Sequence, residues 1–520
     1  MTMFKKTLSA ALLGTVCAAL PAFAQDPVAG GRLNLLVQPE PSGLMLGITT
    51  NAATNLVSGG IYEGLLRYDQ DLTPEPSLAK SWEISEDGLT YTFHLQEGVK
   101  WHDGEPMTAH DVVFTFTEFL TETQPRHRNI MNRVASVEAP DELTVVFTLK
   151  QAFGPFIRIF AYKTAPIVPA HIYEGTDFRA NEANATPIGT GPFKLDEWQR
   201  GAYIGLVKNE DYWMEGRPYL DEVIYHIIPD AASRANAYET GDLDVLPGGT
   251  IENFDIVRLQ KNEGTCVDEG GWQYSSPMAW MWLNNRNAPL DNPKMRQAIM
   301  YALDRELALQ VVWNGFGRVA KGPIASTTPF FDETGPLYEH NPEKAKELLA
   351  EIGYDGTPLR MLPLPYGETW QRWAEVVRQN LAQVGITLQT EATDVAGWNQ
   401  KTSQWDYDLA FTFVAQNGDP ELGVARNYIS SQIAKGNPFN NVEGYSNPKV
   451  DELFAKAAVA VSTEERQALY TEVQQILQED VPIAWLQELS FPTVYDCGVH
   501  NLITTANGAG NSLRDTWKEQ

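Results

Sequence analysis

Cysteine is scarce in this chain: its 520 residues contain only three, Cys17, Cys266 and Cys497. Neither Cys266 nor Cys497 has a second cysteine or a histidine at metal-ligand spacing, which argues against a zinc site. An oxidising compartment would allow the two to form a disulfide, but their wide separation in sequence does not show that they are close. The sequence leaves a disulfide open, and two separate buried thiols are the expected arrangement.

Basic residues are also few, with 39 Lys and Arg against 67 Asp and Glu, for a formal net charge of -28. Such an acidic surface repels nucleic acid and anionic membranes, so neither is an expected partner. The length is sufficient for two or three domains, each with its own core.

Long apolar runs are missing after the first residues. Lys5 and Lys6 precede an apolar run, 8–20, and the small-x-small site Ala22-Phe23-Ala24. This is the pattern of a secretory signal peptide, and the run is too short to span a bilayer. The residues before Cys17 form a poor lipoprotein box. We predict cleavage after Ala24 and export of a soluble chain that is not inserted in the membrane, with a net charge of -30 once both lysines are removed.

Catalytic and metal-binding motifs are absent from the sequence. There is no GxSxG, HExxH or Walker A pattern, and none of the eight histidines lies between residues 341 and 499. His102, Asp103 and Glu105 are close in sequence, but a cluster beside Asp-Gly is more typical of a turn. We expect no catalytic residue, no metal and no cofactor.

The most informative stretch that is present is 78–116. Asp87-Gly88 is typical of a tight turn, and TYTFHLQ then alternates apolar and polar residues as a half-buried strand does. Thr108 with Asp111 predicts the start of a helix.

These residues, from SWEISEDGLTYTFHLQEGVKWHDGEPMTAHDVVF, resemble the signature of the family 5 extracellular solute-binding proteins. GTGPFKLDEW and GDLDVLP resemble further markers of that family. The resemblance implies a receptor that delivers peptides, nickel or opines to an ABC importer. The dispersed histidines argue against nickel.

The implied fold is α/β, the bilobal periplasmic-binding-protein fold of the large three-domain, type II or cluster C-like kind, with a hinge between two lobes. Residues 51–66 are expected to form a helix at the end of the first pass through domain I. The predicted division is a signal peptide (1–24), domain I in three segments (25–66, 188–277 and 490–520), domain II (67–187) and domain III (278–489).

The resemblance also implies the partners: a short peptide or other small solute and the transmembrane subunits of an ABC permease. We expect a periplasmic monomer whose lobes close on the solute, a change of shape that the permease detects. An opine, an oligosaccharide or another organic solute is the alternative ligand. A secreted hydrolase, or a chaperone or chemoreceptor adaptor on the same scaffold, is a competing function.

Three tryptophans are candidates for lining the ligand cleft, although any one tryptophan more often belongs to a core. Trp280 and Trp398 match aromatic positions that line the cleft in peptide-binding relatives. Trp485 is on the last predicted crossing between the lobes.

The stretch 411–428 contains the most specific prediction. In peptide-binding members an acidic residue in this loop binds the α-ammonium of the peptide, and Gln416 matches that position, followed by Asn417. Either Asp419 supplies the charge, or the solute has no free ammonium and Gln416 donates its amide to an oxygen. Arg426 could bind a carboxylate or sulfate-like group, or form a structural ion pair.

Overall fold

The computed structural model describes residues 26–520. The first part of the chain contains β1 (Arg32–Val37), α1 (Ala52–Ser58) and β2 (Leu66–Tyr68). The Asn51 side chain caps α1 by accepting a hydrogen bond from the Thr54 amide (2.8 Å). The expected helix over 51–66 is therefore too long. It ends at Gly59, where a Cβ would lie 2.4 Å from the Gly510 carbonyl oxygen, so the close approach of another segment determines the end.

The next part forms an antiparallel four-stranded sheet of order β4-β5-β7-β6, covered by helices. As predicted, Thr108 and Asp111 form a capping box at the start of α2. Phe93, Phe116 and Phe147 are among the aromatic rings of its core. The elements are β3 (Pro74–Pro76), β4 (Ala79–Ile84), β5 (Thr90–Leu95), α2 (Ala109–Phe114), α3 (Leu120–Thr123), α4 (Pro125–Met131), β6 (Val134–Asp141), β7 (Thr144–Leu149) and α5 (Ala170–Tyr173).

The chain then returns to the sheet that contains β1. Gly201 lies in the turn between β8 (Phe193–Gln199) and β9 (Tyr203–Lys208), which pair antiparallel. The remaining elements here are β10 (Glu222–Ile227), α6 (Ala231–Glu239), β11 (Val245–Leu246), α7 (Asn253–Leu259) and β12 (Thr265–Asp268).

The stretch from Met278 to Glu488 builds a separate six-stranded sheet with the order β14-β18-β13-β17-β15-β16. All six residues of its central strand, β13, are buried, because neighbouring strands flank it and helices cover the sheet. The elements are β13 (Met278–Leu283), α8 (Pro293–Ala302), α9 (Arg305–Trp313), β14 (Arg318–Val319), α10 (Pro342–Glu351), β15 (Leu359–Leu362), α11 (Glu368–Gln383), β16 (Leu388–Thr390), α12 (Val395–Ser403), β17 (Leu409–Val414), α13 (Pro420–Gly423), α14 (Pro448–Val459), α15 (Thr463–Asp480) and β18 (Ile483–Glu488).

The chain ends with β19 (Thr493–Asp496), β20 (Val499–His500) and β21 (Trp517–Lys518). β19 joins the first sheet, whose order is β12-β19-β11-β1-β10-β9-β8. Strands from three separated stretches of chain therefore form one seven-stranded sheet. Two linkers, 269–277 and 489–492, connect it to the six-stranded sheet. They lie side by side: the Leu489 amide donates to the Pro277 carbonyl (2.8 Å), and Trp272 Nε1 donates to the Phe491 carbonyl (2.8 Å).

Cys266 and Cys497 form a disulfide bond, with their Cα atoms 5.1 Å apart. The expectation of two separate thiols is therefore wrong. Cys266 is on β12, which pairs antiparallel with β19, and Cys497 directly follows β19. Strand pairing, which spacing in sequence could not reveal, places the two side chains together in the first lobe, before the first linker and after the second.

Replacing both cysteines with serine is expected to lower the stability of the protein by about 2–4 kcal/mol, because the bond closes a long loop in the unfolded chain. The measurement is chemical denaturation of wild type and double variant, with and without a thiol reductant. The reductant should destabilise the wild type and leave the double variant unchanged. Equal curves for oxidised wild type and double variant would contradict the expectation.

Candidate functional site

A cavity of about 430 Å³ lies between the two lobes. One lobe is formed by the seven- and four-stranded sheets, and the other by the six-stranded sheet. Most of the lining comes from the first lobe, one residue, Tyr274, comes from a linker, and two come from the second lobe. The lining residues are Ile48, Thr50, Asn55, Thr123, Gln124, Pro125, Arg126, His127, Ile130, Ile159, Lys163, Thr164, Tyr274, Asn417 and Leu422.

Tyr274 connects the two lobes at the back of this cavity. Its hydroxyl donates to the Arg158 carbonyl in the first lobe (2.9 Å), and its ring lies against Gly418 in the second. A further contact between the lobes joins Arg133 and Glu421, 4.0 Å apart. Burial and, next, the charge of Asp419 raise the pKa of Glu421 to about 7. The lobes are therefore in contact around the cavity.

Three cationic side chains lie at the cavity: Arg126 on α4, Lys163 after β7, and Arg426 just after α13. Arg126 is accessible to solvent but surrounded by protein atoms, as a group inside a cleft is. Burial lowers the pKa of Lys163 to about 8 and that of Arg426 to about 10, and the nearby charge of Arg126 lowers both further. Burial lowers the pKa of Arg126 as well.

Among residues 26–520, the contacts of the Lys163 ammonium are with neutral groups: Nζ donates to Ser275 Oγ (3.0 Å) and lies 6.0 Å from the centre of the Tyr274 ring. The Nε atom of Arg426 is buried and has no hydrogen-bond partner within residues 26–520. The cavity lining thus includes two cationic hydrogen-bond donors, Arg126 and Lys163, and Arg426 Nε is an unpartnered donor among the described residues.

Gln416 is fully buried inside the second lobe. Its Oε1 accepts from the Ala325 amide (2.9 Å), and its Nε2 donates to the Pro323 carbonyl (3.1 Å). The amide therefore holds the loop at 323–325. Asn417, the next residue, does line the cavity, and its left-handed backbone (φ 55°) turns the chain there.

Asp419 is buried and forms an ion pair with Arg466, with Oδ1 2.8 Å from the guanidinium nitrogen Nη2. The same oxygen accepts from the Glu421 amide (3.0 Å), so Asp419 also caps α13. Its binding of an ammonium stays a prediction, but this carboxylate already has a cationic partner within the lobe.

The three predicted tryptophans are in the core of the second lobe, at most 1% exposed. Trp485 Nε1 donates to the Tyr428 hydroxyl (2.8 Å), and the Trp280 ring lies 6.0 Å from the Tyr428 ring. Trp398 stacks on Trp282 at 5.7 Å. Their predicted contact with a solute is untested, and the cavity lining contains none of them.

A buried carboxyl group, Glu443, lies in the same lobe and was not singled out from sequence. It is 0% exposed, and neither carboxylate oxygen has a hydrogen-bond partner among residues 26–520. Burial raises its pKa to about 8, while its own backbone amide and the nearby Arg286 guanidinium act in the opposite direction.

Of the predicted site residues, the structure brings Asn417 to the cavity and Arg426 beside it. It places Gln416, Asp419 and the tryptophans within the second lobe. Sequence reasoning missed Arg126, Lys163 and Tyr274. No local motif marks them, and only their position on different elements around the cavity identifies them. The one available signal was Lys163, a basic residue in an apolar stretch of an acidic chain.

His102, part of the apparent His-Asp-Glu cluster, is engaged with the backbone. Its Nε2 lies 3.0 Å from the Gly191 carbonyl oxygen, and its Nδ1 accepts from the Gly189 amide (3.3 Å). Burial lowers its pKa to about 4. The ring therefore anchors the turn at 189–191.

Two lobes joined by a pair of adjacent linkers, with a cavity between them, define a two-lobed ligand-binding protein. No helix in the range 26–520 has the length and apolar character needed to cross a bilayer.

Comparison with known proteins identifies the family to which this two-lobed protein belongs. The family model for bacterial extracellular solute-binding proteins, family 5 Middle, matches residues 73–435. Oligopeptide-binding protein AppA of Bacillus subtilis is 31% identical over 494 residues, 89% of this chain and 87% of that protein. Glutathione-binding protein GsiB of Escherichia coli (strain K12) is 29% identical over 450 residues, 82% of this chain and 83% of that protein. The solved structure of CtaP from Listeria monocytogenes, an ABC transporter substrate-binding protein, has a TM-score of 0.84 at 27% identity and covers 95% of this chain and 100% of its own.

The chain belongs to the bacterial extracellular solute-binding proteins, family 5. Its relatives are binding proteins for transport, and the predicted role as a solute receptor of an ABC transporter is confirmed at the level of this family.

Proposed function

We propose that this protein captures a peptide or peptide-like solute between its two lobes and delivers it to the transmembrane permease of an ABC importer, without chemical conversion. The observation that carries this is the cavity lined from both lobes. A solute bound there would favour the closed arrangement of the lobes to the extent that it binds that arrangement more tightly than the open one.

A second candidate is the same receptor role for an opine or another organic solute that lacks a free ammonium. It is supported by Gln416, an amide at the position where peptide-binding members have an acid, and by the pairing of Asp419 with Arg466.

The proposal includes a periplasmic monomer whose signal peptide is removed after Ala24. Residues 1–25 lie outside the described part of the chain. It also includes the six-segment domain division predicted from sequence. The sheets support that division, since strands at 32–37, 193–268 and 493–496 share one sheet and strands at 278–488 another.

The test is a panel of peptides, opines and oligosaccharides, with thermal stability and product formation measured together. The stability of a receptor rises with the logarithm of one plus the ratio of solute concentration to Kd, and the receptor releases the solute unchanged. Turnover of any compound would overturn the proposal in favour of a hydrolase.

We expect solute binding to reduce the radius of gyration, because the paired linkers restrict the lobes to opening and closing. The measurement is small-angle scattering of the mature protein with and without a saturating solute from the panel. A panel compound that gives no thermal shift is the control. An unchanged radius at saturation would contradict the closure mechanism.

A further inference from the structure

The cavity between the lobes has the opposite charge character to the rest of the molecule. The chain carries 67 acidic and 39 basic residues, yet the 15 residues that line the cavity include Arg126 and Lys163 and no aspartate or glutamate. Arg426 from the second lobe adds a third cation, close enough to Arg126 that the charge of Arg126 lowers the pKa of Arg426. In such an acidic chain, this absence of carboxylates is a local feature of the cleft.

None of the three cations forms an ion pair with a carboxylate of residues 26–520. Two carboxylates of the loop that carries Asn417 have other cationic partners: Asp419 pairs with Arg466, and Glu421 lies 4.0 Å from Arg133. Holding cations in a partly desolvated site without a counter-charge costs free energy. A solute that supplies the negative charge would offset that cost when the lobes close.

The positions of the cations also favour a solute with more than one anionic group. Arg126 and Lys163 belong to the first lobe and Arg426 to the second, so one bound anion or a pair of anionic groups can contact both lobes. Guanidinium groups bind carboxylate and phosphate oxygens through paired hydrogen bonds. Neutral polar side chains, among them Thr50, Asn55 and Asn417, line the same cavity.

We propose that the solute is an anion with at least two carboxylate or phosphate groups and no required free ammonium, held by Arg126, Lys163 and Arg426. This rests on the proposed receptor function and names the class of solute. Its negative groups connect the two lobes, so the cations contribute to closure as well as to affinity.

The test uses the mature protein and four variants: Arg126→Gln, Lys163→Gln, Arg426→Gln and the triple variant. Lys100→Gln is the matched control, because it removes one positive charge from an exposed position outside the cavity lining. The anionic probes are citrate and glutathione for carboxylates and glycerol 3-phosphate and inorganic phosphate for phosphates. Maltotriose and tetra-alanine amide serve as neutral and cationic probes. Thermal shift at constant ionic strength is followed by calorimetry.

At least one anionic probe is expected to bind the wild type and the Lys100→Gln variant equally. Each single cleft variant should lose on the order of 10–100-fold in affinity, the range for one charge-assisted hydrogen bond, and the triple variant should not bind. Whether citrate or the phosphates bind more tightly distinguishes the two sources of anionic oxygen.

A measurement on the ligand-free protein provides a second check. Removal of an uncompensated charge should leave the melting midpoint of Lys163→Gln equal to or above that of the wild type. A lower midpoint would show that Lys163 has a structural role instead, and would overturn the assignment.

The inference is also overturned if no anionic probe binds, or if the triple variant binds as the wild type does. If the lobes close on maltotriose or tetra-alanine amide, and the cleft variants bind that probe as the wild type does, an anionic solute is rejected. The receptor function would then still be supported. Turnover of a probe would instead reject the receptor function itself.

Discussion

Asp419→Ala is expected to lower the free energy of unfolding by about 3–5 kcal/mol, the cost of leaving one member of a buried ion pair without its partner. Arg466 would keep its charge at a side chain only 7% exposed, beside the rings of Phe330 and Tyr470. The change also removes the cap of α13. Chemical denaturation followed by tryptophan fluorescence measures the loss.

The matched control is Glu452→Ala, which breaks the exposed pair with Lys456 one turn along α14. Such surface pairs contribute about 0.3–0.5 kcal/mol, so this variant should remain close to the wild type. A double-mutant cycle with Arg466→Met isolates the coupling between the two charges. If Asp419→Ala were as stable as the control but bound solute far more weakly, Asp419 would be a ligand group, as one sequence-based alternative predicts.

Glu443→Gln is expected to remove a large pH dependence of stability. The folded pKa of about 8 is above the unfolded value of about 4.3, so the wild type binds more protons when folded. Its stability contribution is complete below about pH 4 and is lost as pH rises through about 8. Over that interval the loss is roughly 4–5 kcal/mol, which the glutamine variant should not show.

Denaturation of both proteins at pH 5, 7 and 9 gives the comparison. The variant should be close to the wild type at pH 5 and more stable by several kcal/mol at pH 9, since an amide fills the same space without a charge. Glu210→Gln, at an exposed position, is the control, and its free energy of unfolding should change with pH as that of the wild type does. If the free energy of unfolding of Glu443→Gln changed with pH as that of the wild type does, the raised pKa of Glu443 would be contradicted.

Local chemistry was sufficient to predict many elements. The predicted helix start at Thr108 and Asp111 is observed, because a capping residue acts within one turn of its own helix. The alternating residues near Tyr91 form the predicted strand, because period two follows directly from the pleat.

Features that depend on distant parts of the chain were not predictable in this way. The predicted helix over 51–66 was too long because its observed end at Gly59 depends on the close approach of Gly510. The disulfide depends on the pairing of β12 with β19. The cationic cleft depends on elements that carry Arg126, Lys163 and Arg426 to one place. Each is a tertiary contact without a local pattern.

The disulfide, which lies in the first lobe just outside the two linkers, also affects how the protein can be rebuilt. Because Cys266 and Cys497 are bonded, everything between them, including the whole second lobe, is one covalently closed loop attached at a single place. Both ends of the lobe leave from adjacent strands, so its entry and exit points are neighbours in space. The second lobe could therefore be replaced by the corresponding lobe of a relative through two junctions that lie next to each other. The Cys266–Cys497 disulfide lies outside both junctions, so it would be retained in the hybrid protein.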